Sequence, residues 1–152
     1  MPEWVVAVTR LLGAPSRWIA NRVRRRALDR HDFVRGGSSA VTPLIQLVKG
    51  IGPESIVLGT DEENGAYLNE CQTKWMTMRD GLMEYANQHP SDRVRELAHE
   101  VERAVWKDLQ LTAWLLRDRR TATTMDSFHA SEAAHADALH KTELLMTKIR
   151  AY

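Results

Sequence analysis

Residues 60–90 read TDEENGAYLNECQTKWMTMRDGLMEYANQHP, and this stretch decides the fold. Thr60 and Glu63 have the spacing of a capping box, in which each side chain satisfies the other's backbone N–H at a helix start. Asp61, Glu62 and Glu63 add negative charge at the positive end of the helix dipole. Leu68, Cys71, Trp75, Met78, Leu82 and Tyr85 then alternate three and four apart, a seam that packs one helix against others in a bundle. Pro90 stops the helix.

Working outward, the next stretch repeats the design. Ser91 or Asp92 can cap a second helix. Val94, Leu97, Val101, Val105, Leu109, Thr112 and Leu116 form its stripe, which Leu111, Trp114 and Leu115 widen. Its end is expected between Arg117 and Arg120, where cations suit a C-terminus. Thr121 to Thr124 form a short connection, which implies an antiparallel neighbour. A third long helix runs from about Met125 to Ile149. Phe128, His135, Leu139, Thr142, Met146 and Ile149 share a face. Ala130, Ala133, Ala134, Ala136 and Ala138 allow either close helix packing or a contact between subunits. The expected class is all-α, an antiparallel bundle of three long helices over residues 61–152.

Upstream, residues 1–35 read as a kinked, basic, amphipathic helical segment. Trp4, Val8, Leu11, Leu12, Trp18, Ile19 and Val23 fall near one face. Arg10, Arg17 and Arg24 recur on the other. Gly13 and Pro15 break the pattern, Ser16 can cap a restart, and the second piece is expected to end near Arg30. Residues 36–60 read as a loop with short helices. Gly36, Gly37, Ser38 and Ser39 make a flexible joint, and Pro43 can open a helix through Val48. Gly50 to Pro53 turn the chain, and a second short helix can run from Pro53 to Leu58, ended by Gly59.

The 152 residues suffice for one domain with a core. Their net charge of +1 hides a split. Residues 1–50 carry nine Lys and Arg against three Asp and Glu, and residues 51–152 carry twelve against seventeen. A basic front of this kind meets something anionic: a phosphate backbone, a lipid surface, or the acidic part of another copy. Trp4 and Trp18 beside Arg22, Arg24, Arg25, Arg26, Arg30 and Arg35 suit an anionic membrane interface and a protein surface equally. No stretch reads as a secretory signal or a membrane span. The single cysteine, Cys71, excludes an internal disulfide and fits a reducing compartment. The expected setting is cytoplasmic, peripheral at a membrane if the basic segment binds lipid.

Three patterns could carry chemistry. The first is acid-x-x-His, at Glu96–His99, Asp126–His129, Glu132–His135 and Asp137–His140. Paired Glu-x-x-His motifs build di-metal sites in helical bundles, because residues three apart point the same way. Here Glu96 and Glu132 start antiparallel helices and fall at opposite ends of the bundle. His129, Glu132 and His135 could offer two ligands to a zinc ion, without an evident third and fourth. The bland alternative is a set of surface pairs.

The second pattern is Leu44-Ile45-Gln46-Leu47-Val48-Lys49-Gly50-Ile51-Gly52-Pro53-Glu54-Ser55-Ile56. It resembles the helix-hairpin-helix motif of DNA-binding proteins. That resemblance implies backbone N–H groups around Lys49, Gly50 and Gly52 offered to a phosphate. The motif's basic residue and small alanine are replaced by Glu54 and Ile56.

The third is the arginine cluster itself. No nucleophile, phosphate loop or paired-carboxylate spacing stands beside these, and no cofactor is expected. The leading expectation is a non-enzymatic helical interaction protein that self-associates or binds another protein. Its basic segment (Trp4, Arg10, Arg17, Trp18, Arg22, Arg24, Arg25, Arg26 and Arg30) docks on that partner or on a membrane. Nucleic-acid binding and a helical metalloprotein are the alternatives.

Overall fold

The computed structural model describes residues 29–56, 60–118 and 125–152. Expectations for residues 1–28, for Gly59 and for the connection at 121–124 lie outside the described residues. Among the described residues every regular element is helical: α1 over 29–49, a 3₁₀ turn Pro53–Ile56, α2 Asp61–Gln88, α3 Asp92–Asp118 and α4 Met125–Arg150. The chain is all-α, as the seams require.

The predicted caps account for the α2 boundaries. Glu63 N–H donates to Thr60 Oγ1 at 3.2 Å, and Thr60 N–H donates to a Glu63 carboxylate oxygen at 3.0 Å. These bonds pull the Glu63 carboxyl below the usual carboxylate range. The helix ends before Pro90, at His89. The Ser91 carbonyl accepts the first α3 bond, from Arg95 N–H. The α2 seam is buried as read at Leu68, Cys71, Trp75 and Leu82, with Met78 and Tyr85 half-buried.

The α1 region departs from the expectation. Residues 36–39 are helical rather than a joint, and no helix end falls near Arg30. The cause is tertiary. A Cβ on Gly37 would lie 2.6 Å from Ile149 Cγ2 on α4 and would also strike the Tyr85 hydroxyl on α2. Glycine there permits close approach rather than flexibility. Tyr85 Oη donates to the Phe33 carbonyl at 2.8 Å, which fixes the contact. Val41, Leu44, Leu47 and Val48 of α1 are buried with the seams of α2, α3 and α4 in one core. Burial of that face outweighs the poor helix propensity of Gly-Gly-Ser-Ser. Pro43 lies on the exposed side. Among the described residues the core therefore takes four long helices where the sequence suggested three.

Contacts fix which helices meet. Tyr85 reaches Phe33, while Tyr67 Oη donates to the Gly50 carbonyl at 2.8 Å, so α1 and α2 meet in reverse order along their lengths. Arg79 of α2 pairs with Glu102 of α3. His135 of α4 meets Asp108 of α3.

On α4 the buried stripe is rotated from the reading. Ser131, Ala134, Ala138, Thr142, Leu145, Met146 and Ile149 face inward, while Phe128, His135 and Leu139 are only half-buried. The small residues Ala134 and Ala138 are the packed ones, and Ala130, Ala133 and Ala136 are exposed. On α3, Trp114 is exposed rather than part of the stripe.

Candidate functional site

Two places on the bundle hold more than packing. The first is a groove of about 320 Å³ between α2 and α3, lined by Trp75, Met76, Arg79, Glu102, Arg103 and Trp106. The helix periods explain it. Trp75 points inward at the seam and is 1% exposed, while Met76, the next residue, is turned outward and is 44% exposed. Trp106 follows the buried Val105 in the same way and is 40% exposed. The groove therefore has a tryptophan floor and two large apolar walls. The Arg79–Glu102 ion pair crosses it. Arg103 completes the rim. Asp80 stands one turn beyond Met76 and Glu84 two turns beyond it on the exposed surface of α2.

The second place is the buried pair Asp108–His135. Asp108 Oδ2 and His135 Nδ1 are 2.9 Å apart, and the carboxylate is wholly buried. Burial pushes the Asp108 carboxyl up, and the bond and charge of His135 offset part of that rise, with a smaller pull from Thr112 one turn on. Ser131, one turn before His135, is buried without a hydrogen-bond partner. Gly52 covers the imidazole. Its φ is +124°, and a Cβ there would lie 3.0 Å from His135 Cγ, so both backbone and space call for glycine. A cavity of about 550 Å³ adjoins the ring, and Lys49, Glu54 and Glu132 are the charged side chains that line it. A histidine held at Nδ1 by a carboxylate leaves Nε2 for proton transfer or for a ligand.

His129 Nδ1 meets Glu132 at 3.2 Å on the exposed surface of α4, whereas His135 turns to Asp108. The three do not converge, and among the described residues no three His, Cys, Asp or Glu side chains form a metal cluster. His99 lies 3.7 Å from Glu102, three residues on, rather than pairing with Glu96. At the glycine turn, Gly50 N–H donates to the Gln46 and Leu47 carbonyls, Ile51 N–H to Val48, and Ser55 N–H to Gly52. Those donors are spent inside the turn, and Glu54 and Glu132 share the cavity with Lys49. Arg30 and Arg35 are exposed on α1. Trp4, Arg10, Arg17, Trp18, Arg22, Arg24, Arg25 and Arg26 lie outside the described residues. Cys71 is a core residue whose thiol is pushed up by burial.

Sequence reading missed Asp108, Met76 and Trp106. Asp108 had a signal. It stands at the inward position of the series Val101, Ala104, Asp108, Thr112, Leu115, where a charge demands a partner. Met76 and Trp106 had one too, as large apolar side chains immediately beside seam positions.

Among the described residues no helix is long and apolar enough to cross a membrane. Comparison with family models, with curated proteins and with solved structures finds no match for this chain.

Proposed function

We propose that this chain is a non-enzymatic helical interaction protein that self-associates, and that the α2–α3 groove is its contact surface. One observation carries the reading. Met76 and Trp106 stand exposed over the buried Trp75, flanked by charged side chains, in the helix-in-groove form of recognition. A scaffold of long antiparallel helices holds the groove rigid, and the Arg79–Glu102 and Asp108–His135 contacts across successive connections support that arrangement. The lone buried thiol fits a reducing, cytoplasmic setting.

Trp106→Glu tests the proposal by placing a charge where the groove must be desolvated. Size-exclusion chromatography with light scattering should show the native chain above its monomer mass of 17.3 kDa and the variant at that mass. Lys141→Glu, on α4, should behave as the native chain does. Equal masses for Trp106→Glu and the native chain would remove the groove from the contact.

A further inference from the structure

We infer, on the basis of the proposed self-association, that the occupant of the α2–α3 groove is the same face of a second copy of this chain. The two copies are related by a two-fold axis parallel to the helices, and Asp80 of each pairs with Arg103 of the other.

The charge around the groove carries the pairing. The charged side chains of its lining are Arg79, Glu102 and Arg103. Glu102 is bound to Arg79, so Arg103 is the charge left over. Asp80 is the matching anion, one turn from Met76 on α2. Asp80 and Arg103 are both exposed, and among the described residues neither belongs to an ion pair. Asp80 acts on the neighbouring Arg79 through its charge alone, while Arg79 keeps Glu102. The two unpaired charges thus flank one apolar patch, Met76 and Trp106, from opposite helices. A surface with that arrangement is complementary to itself.

Register selects the axis. α2 and α3 are antiparallel, and Arg79 stands level with Glu102. Each step forward on α2 therefore matches one step back on α3. Trp106 falls one residue from the level of Met76, and Arg103 two residues from the level of Asp80. At the helical rise these offsets are about 1.5 Å and about 3 Å. A two-fold axis parallel to the helices lays α2 of one copy over α3 of the other at unchanged level. Met76 then meets the partner's Trp106, Asp80 meets the partner's Arg103, and each contact occurs twice. Exposed Gln72 falls opposite the partner's Gln110, and half-buried Met83 opposite the partner's His99. An axis perpendicular to the helices and centred on Met76 lays each helix on its own copy instead. It brings Arg103 to the partner's Lys107, a like-charge contact. The parallel axis gives an isologous contact, which closes at two copies.

Charge reversal on the full chain tests the pairing, read by sedimentation and by native mass spectrometry. The native chain should form a species of twice 17.3 kDa and nothing larger. Asp80→Arg alone sets arginine against arginine at both contacts, and Arg103→Asp alone sets aspartate against aspartate. Each should weaken association at least about tenfold. Because both residues are exposed, the helical circular dichroism of each variant should match that of the native chain. An equimolar mixture of the two variants should pair as tightly as the native chain, with one copy of each in every dimer. Both changes in one chain should restore the homodimer. A mixture that pairs no better than its components overturns the inference, as do native assemblies larger than two. If Trp106→Glu still disperses the native oligomer in either case, the groove stands and only the arrangement of its occupant is wrong. A native chain that is monomeric at every concentration removes both.

Discussion

Asp108 and His135 form a pair across α3 and α4, with the carboxylate wholly buried and the imidazole capped by Gly52. The energetics are asymmetric. A buried carboxylate is costly alone and tolerable with its partner. Asp108 therefore depends on His135 more than His135 depends on Asp108.

His135→Ala should destabilise the protein by about 3 kcal/mol at neutral pH, because it strands the carboxylate. In an Asp108→Asn background the same change should cost well under half as much. Denaturant unfolding of the four variants checks this. Burial raises the Asp108 carboxyl, so the folded state holds a proton that the unfolded state releases. Its contribution to stability is thus greatest at low pH and is lost as pH rises through the raised value. The cost of His135→Ala should shrink on acidification for the same reason. Equal costs in both backgrounds would show that the pair is uncoupled.

Gly36 and Gly37 should respond oppositely to alanine. A Cβ on Gly36 meets Tyr85 at an ordinary 3.8 Å, so Gly36→Ala should gain up to about 1 kcal/mol in helix propensity. Gly37→Ala forces the Tyr85 hydroxyl and Ile149 apart and should cost about 1–3 kcal/mol. Thermal unfolding midpoints should move up for the first and down for the second.

His89 should impose an acid limb on stability. It is buried among Phe33, Tyr85 and Tyr152, and its Nδ1 accepts from Ser91 N–H at 3.0 Å. Burial, then the nearby Arg95, lowers its basicity. A lowered pKa means that the unfolded chain takes the proton first. Stability from this group is present above the ordinary value of 6.5 and is lost as pH falls below it. His89→Asn keeps an acceptor for Ser91 without titrating. Its unfolding midpoint should fall less steeply between about pH 7 and 5 than that of the native chain. Parallel slopes would assign the acid limb elsewhere.

Much of this fold is legible in the sequence where periodicity and caps agree. Thr60, Glu63 and Pro90 bound α2, and its seam is the one that is buried. Legibility ends where a tertiary contact reverses a local preference. Gly36 to Ser39 read as a joint because the pressure for glycine comes from Tyr85 and Ile149, which lie far along the chain. The α4 stripe was rotated because its packed residues are small, so hydrophobicity gave the larger Phe128 and Leu139 more weight than Ala134 and Ala138. The site was less legible still. A groove needs two helices, and neither Met76 nor Trp106 declares alone that the other stands across from it.

Sedimentation velocity across a range of concentrations tests the central claim most directly. The account predicts that the weight-average sedimentation coefficient of the full chain rises with concentration, and that Met76→Glu, with its charge in the groove, holds it at the monomer value. A native chain that sediments as a 17.3 kDa monomer throughout, or a Met76→Glu chain that associates equally well, would contradict it.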